Sequence, residues 1–302
     1  MKFVTFEQNG DQHVGLLTKG EKFILPLAAA EKRFMGAATM PDTMLGLIAL
    51  GENAIARIKE IEKCVKADSS FALIPAESVK ILAPIPRPTK NIICVGKNYI
   101  EHAFEFDKTR DASAIPKFPV IFSKPPTAVT GPDSIVRNHA HATSALDYEV
   151  ELTIVIGKTG YNISKEDAYD YIFGYTIMND VSARDLQKQH AQWYLGKSPD
   201  TFAPLGPCIV HKSAITDPGN LQVTASINGE LRQNANTKDM IFDIPTLIAT
   251  ISQVATLEPG DLIATGTPSG VGVGFTPPKF MKSGDVMELE ITGIGILKNT
   301  IQ

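Results

Sequence analysis

The chain is poor in cysteine, in tryptophan and in long apolar runs, and each shortage closes off a class of protein. Three cysteines in 302 residues, Cys64, Cys94 and Cys208, form an odd and scattered set. They offer neither a disulfide framework nor a metal-site spacing, and read as free thiols in a reducing compartment. No apolar stretch approaches the ~20 residues a helix needs to cross a bilayer. The first seven residues lack the apolar run of a secretion signal. Aromatic residues are few, and a formal net charge of −4 gives no basic stripe for nucleic acid and no attraction to an anionic membrane. What remains, 43% apolar and 21% charged residues, is the composition of a soluble chain with a sizeable core. The expected setting is the cytoplasm, with neither nucleic acid nor membrane as partner.

The sequence divides near residue 85. Residues 1–85 read as a small N-terminal α+β domain: strands at 3–6 and 13–17 joined through Gln8-Asn9-Gly10-Asp11, then helical periodicity over 44–50 and 54–65. Pro84, Pro86 and Pro88 close it, since such a run continues neither a helix nor a central strand. This part carries no chemistry of its own and reads as a packing or dimer element. Residues 86–302 alternate short strands (91–96, 119–122, 175–178, 208–210, 221–227 and 286–291) with turns, the sharpest at Asn228-Gly229. Helices are expected at 165–171, 182–195 and 244–253. The mixture predicts a mainly β (α+β) chain, not a doubly wound α/β sheet.

Acidic residues gather where apolar ones dominate. Over 146–156 the alternation puts Leu146, Tyr148, Val150, Leu152, Ile154 and Ile156 on one strand face, and Asp147, Glu149, Glu151, Thr153 and Val155 on the other. Same-face neighbours are ~7 Å apart, so ionised carboxylates there repel, and a hard, oxygen-seeking cation would relieve them. A solvated strand face is the plainer alternative. Asp180 ends the next apolar run, where it could join the cluster or cap a helix. His102 and Glu105, three apart, are side by side on a helical turn, as a carboxylate-oriented base requires, although an exposed surface pair has the same spacing. The run Thr265-Gly266-Thr267-Pro268-Ser269-Gly270-Val271-Gly272-Val273-Gly274 could cradle a carboxylate or oxyanion on backbone N–H groups, or could be only a tight loop. Lys197 follows the expected helix end, as a dipole-stabilising cation or a substrate contact.

Taken in order, four motifs are more specific than any one: Gly-Lys-Asn-Tyr-x-x-His-x-x-Glu at 96–105, Leu-Asp-Tyr-Glu-x-Glu-Leu at 146–152, Gly-Tyr-Thr-x-x-Asn-Asp-x-Ser-Ala-Arg-Asp at 174–185 and Gly-Thr-Pro-Ser-Gly-Val-Gly at 266–272. Together they strongly resemble the fumarylacetoacetate hydrolase family over about residues 86–302. The extra N-terminal segment and Phe275-Thr276-Pro277-Pro278 are most similar to its bacterial oxaloacetate-decarboxylase-like and acylpyruvase branch. The resemblance implies a mixed β-sandwich roll, a homodimer, and Mg²⁺ or Mn²⁺ held by Glu149, Glu151 and Asp180. It implies a base dyad of His102 with Glu105, Lys197 at the reacting centre, and substrate contacts from Arg184, Gln187 and Thr267. Asp147 falls outside the implied ligand set, as a supporting residue. The stretch 105–111 matches the family's lid. The implied activity is metal-dependent cleavage of a carbon–carbon bond in a small 2-oxo or 2,4-dioxo acid, by hydrolysis or decarboxylation. An isomerase or hydratase of an oxo acid, and a non-catalytic metal-holding scaffold, are the rivals.

Overall fold

Strands make up most of the computed structural model, which describes residues 1–68, 70–105 and 110–302. One large sheet runs in the order Ile74–Pro75, Phe23–Pro26, Asp11–Thr18, Lys2–Gln8, Ala203–His211, Ile172–Asn179, Val150–Ile156, Leu262–Ala264, Ile92–Gly96 and Val120–Lys124. Neighbours in this order are antiparallel except Leu262–Ala264 beside Ile92–Gly96, and off the path Val129–Thr130 lies parallel to Ala203–His211. Lys2–Gln8 pairs with Ala203–His211, so backbone hydrogen bonds of this sheet cross the sequence division near residue 85. A second sheet, Glu230–Asn236, Gln222–Ile227, Val286–Ile291, Gly295–Ile301 and Ile135–Val136, packs on the first.

Two cores result. Val150, Leu152, Ile154 and Ile156 share a core with Val223, Ala225, Met287 and Leu289 of the second sheet and with Ile244 and Leu247 of the helix Ile244–Ser252. On the opposite side Val155, Phe173, Met178, Leu205 and Ile209 meet the N-terminal helices. The helix Glu52–Ala67 supplies Ala54, Ile55, Ile58 and Ile61, the stripe its three- and four-residue spacing predicts. The even-numbered face of Val150–Ile156 is therefore wholly core. The odd-numbered face begins with Glu149 and Glu151 and ends in the N-terminal core at Val155.

Three expectations change. The strand over 146–156 is broken: Leu146–Asp147 pairs with Ser182–Ala183 in a separate ribbon, and the long strand starts at Val150. The helix over 182–195 is two short ones, Arg184–Gln189 and Tyr194–Lys197, because the polar stretch between them carries no apolar stripe to bury. The helix over 165–171 reduces to a 3₁₀ turn, Ala168–Tyr171.

Candidate active site

The acidic cluster is made by strand register. Val150 lies opposite Asn179, so the residues just beyond each, Glu149 and Asp180, meet at the strand ends, where the Asp180 N–H donates to the Glu149 carbonyl at 2.9 Å. Glu149, Glu151 and Asp180 are all buried, and each offers a carboxylate oxygen within 4.8 Å of the others. The short helix starts only at Arg184, so Asp180 caps nothing.

Buried cations sit among these carboxylates. Lys197 Nζ lies 2.6 Å from Glu149 Oε2 and 2.8 Å from Asp180 Oδ2. Arg184 Nη2 lies 2.7 Å from Glu149 Oε1, and its Nε lies 2.8 Å from Asp147 Oδ2. A third cation was not singled out from the sequence. Lys124, fully buried at the end of Val120–Lys124, donates to Asp180 Oδ1 at 2.5 Å, to the Val181 carbonyl at 3.0 Å and to the Lys197 carbonyl. Its only sequence signal is a lysine closing an apolar strand before Pro125. Burial alone would raise the Glu149 carboxyl, but Lys197, Arg184 and His102 hold it well below the usual range. Glu151 goes the other way. Burial and the charges of Asp180 and Glu149 push it well up, and it accepts one backbone N–H, from Gly266 at 3.0 Å.

These residues fit a hard divalent cation. The donors are all carboxylate oxygens, and among the described residues Glu151 has no ion-pair partner. A buried carboxylate crowded by like charge and short of donors is where an added positive charge gains most.

His102 and Glu105 lie on the short helix Ile100–Glu105, with His102 Nδ1 2.7 Å from Glu105 Oε2. His102 Nε2 is 4.0 Å from Glu149 Oε1, at the edge of the acidic cluster. The glycine-rich loop does cradle carboxylates, but the protein's own. Gly270 N–H donates to Glu105 at 2.7 Å, Gly272 and Val273 N–H to Asp147 at 2.6 and 3.0 Å, and Gly266 N–H to Glu151. Asp147 thus leaves the cluster that strict alternation placed it in and ties Arg184 to this loop. Of the lid stretch 105–111, residues 106–109 lie outside the described residues.

His102, Glu149, Glu151, Arg184, Gln187, Lys197 and Thr267 line one cavity of about 320 Å³, together with Gly96, Phe122 and Trp193. Asp180 and Glu105 stand behind this lining, bonded to Lys197 and His102. Gln187 accepts from Arg184 Nη1 at 3.1 Å. Thr267 Oγ1 donates to the Val150 carbonyl at 2.9 Å and accepts from Gln233 Nε2 at 2.7 Å, so its hydroxyl proton is already committed inside the protein.

Comparison with known proteins gives the chain's family. The family described as Fumarylacetoacetate (FAA) hydrolase C-terminal matches residues 91–302. The oxaloacetate tautomerase YisK of Bacillus subtilis (strain 168) is 51% identical over 305 residues, covering 100% of both chains. Among solved structures, the fumarylacetoacetate hydrolase of psychrophilic Exiguobacterium antarcticum aligns with a TM-score of 0.81 at 39% identity, over 100% of this chain and 99% of that one. The 5-carboxymethyl-2-hydroxymuconate delta-isomerase of Mycobacterium smegmatis aligns with a TM-score of 0.74 at 30% identity, over 100% and 98%. Motifs, fold and likeness along the whole length lead to one assignment: the chain belongs to the fumarylacetoacetate hydrolase family.

Proposed function

We propose that this enzyme interconverts the keto and enol forms of a small 2-oxo dicarboxylic acid of the oxaloacetate type. The observation that carries the reading is the oriented base: His102, fixed through Nδ1 by Glu105, faces a cavity walled by Lys197, Arg184 and buried carboxylates. With Glu105 accepting from Nδ1–H, Nε2 is the basic nitrogen. It takes a proton from C3, the electron pair moves toward the 2-oxo oxygen, and protonation of that oxygen gives the enol; the reverse path restores the ketone. Lys197 and Arg184 supply positive charge for the substrate carboxylate and the developing oxyanion. Mg²⁺ or Mn²⁺, held by Glu149, Glu151 and Asp180, would supply Lewis-acid polarisation of the carbonyl. The tautomerase of Bacillus subtilis, alike over its whole length, supports this reading above the others. We extend the proposal to a homodimer, as the family resemblance implies, working in the cytoplasm, the reducing compartment its three scattered free cysteines suit.

Carbon–carbon cleavage, by hydrolysis or decarboxylation, is the second reading. The likeness to a fumarylacetoacetate hydrolase structure favours it, and cleavage passes through the same enolate. In that case the His102–Glu105 pair would activate water instead of moving the C3 proton.

The two readings part on product. Enol–keto equilibration of oxaloacetate is followed by loss of enol absorbance, with pyruvate assayed in parallel by a coupled dehydrogenase. Equilibration much faster than pyruvate release is expected, and H102A should slow it about 10²–10⁴-fold. Pyruvate appearing as fast as the enol decays would replace tautomerisation with cleavage.

A further inference from the structure

Trp193 is the only tryptophan of the chain, and it ends a polar stretch where no apolar periodicity calls for an aromatic residue. Its backbone is fixed, because its carbonyl accepts from the Gly196 and Lys197 N–H groups, both at 3.0 Å. Its ring stands edge-on to Phe122, with centroids 5.4 Å apart at 68°. The same ring lies on Gly96. A Cβ added there would fall 2.5 and 2.9 Å from two atoms of the six-membered ring, so only glycine allows the indole this seat. Phe122 in turn has Lys197 Nζ 5.0 Å from its ring centre. A continuous wall therefore runs from the carboxylates through Lys197 and Phe122 to Trp193 and Gly96, all bordering the same cavity. At about 320 Å³ that cavity lies at the lower end of ligand-pocket sizes.

Resting on the reading of this cavity as an oxo-acid site, we infer that Trp193, seated on Gly96 and braced by Phe122, gauges substrate length. The reacting end of an acid sits at the carboxylates, and the indole closes the space beyond Phe122. A short oxo dicarboxylate, of four or five carbons, leaves the ring in place, whereas a longer chain running from the carboxylates along Phe122 meets the indole and has to displace it. Displacement loses the Phe122 contact and must come from the indole's own torsions, since the Trp193 carbonyl is held by the Gly196 and Lys197 N–H groups. Trp193 is thus a specificity-determining residue with no part in the proton transfer.

Calorimetric binding to Mg²⁺-loaded protein tests this without turnover, using 2-oxoglutarate as the five-carbon acid and 2-oxooctanedioate as the eight-carbon one. The native enzyme should bind the shorter acid at least tenfold more tightly. W193A should bring the ratio to within about threefold, with W193F intermediate. G96A should drive the indole into the cavity and weaken both acids at least tenfold, and G96A/W193A should return to the W193A values. If W193A melts early, W193F and G96A carry the same comparison. An unchanged ratio in these Trp193 variants, equal harm from G96A with and without the indole, or native protein that binds neither acid or prefers the longer one, overturns the gauge. A native preference for the short acid that W193A removes, with no equilibration of oxaloacetate, upholds the gauge and overturns the proposed reaction alone.

Discussion

Glu31 in the N-terminal region and Glu151 in the cavity are both sealed from water, at 0% and 1% exposure, yet they are held in opposite ways. Glu31 accepts from Thr39 N–H at 2.6 Å, Thr39 Oγ1 at 2.5 Å, Met40 N–H at 2.8 Å and Arg57 Nε. Burial alone would raise its carboxyl, but these donors bring it down to about 2. Glu151 has the same chemistry, similar burial and, among the described residues, one donor, the Gly266 N–H, and its carboxyl is pushed up. Burial alone therefore does not set the charge of these two carboxylates; the supply of donors does. Glu31 is satisfied from within, whereas Glu151, unlike its neighbours Glu149 and Asp180, is left for an added positive charge to satisfy.

The largest test of that contrast empties the working site. E149A/E151A should abolish turnover and its dependence on divalent metal, and the metal-free protein should melt lower, because Glu149 is the ion-pair partner of buried Lys197 and Arg184; E151A alone should melt at the same or a higher temperature, because it removes like charge beside Asp180 and Glu149. Full activity in the double variant would end the metal assignment. Next comes the cation that anchors the cluster from behind. K124M leaves Asp180 Oδ1 without the lysine that orients it, Oδ2 keeping Lys197, and should weaken Mn²⁺ binding, read by calorimetry, about 10–100-fold, with K124R restoring part of it. Unchanged affinity would reduce Lys124 to a packing residue.

The smallest effect on activity belongs to Glu31. The fall of its carboxyl from an ordinary 4.5 to about 2 corresponds to about 3 kcal/mol of folding stability. Because the folded value is the lower one, that contribution is complete above about pH 4.5 and is lost as pH falls toward 2. E31Q should lose about this much in denaturant unfolding at pH 7, show a flatter acid limb, and keep its turnover at temperatures where it stays folded. A drop in turnover without a drop in stability would break the comparison.

Much of this arrangement was legible in the chain. Glu149, Glu151, Asp180, His102 and Glu105 stand in local motifs, and strand register and helical spacing carry them to one place. Asp147 was not placed correctly by alternation, since a period of two cannot foresee a break at Tyr148 and Glu149 caused by a distant loop donating N–H groups. Lys124 was missed for a related reason: its three acceptors lie at Asp180, Val181 and Lys197, and nothing near it in sequence announces them. The N-terminal strands were legible individually, but not their partner, because pairing Lys2–Gln8 with Ala203–His211 spans some two thirds of the chain.

The loop 265–274 has a consequence for how the sequence can drift. It grips Glu151, Glu105 and Asp147 with peptide N–H groups, which every residue but proline provides. Replacing the side chain at Val273 leaves its N–H to Asp147 in place. The glycines have no such latitude: Gly266 and Gly270 sit at φ +97° and +104°, and a Cβ on Gly274 would strike the Glu105 carboxylate. One short segment thus places much of the inherited constraint on three separated carboxylates at positions without side chains, leaving Val273 freer to vary while Thr265 and Thr267 stay tied by their own hydroxyls.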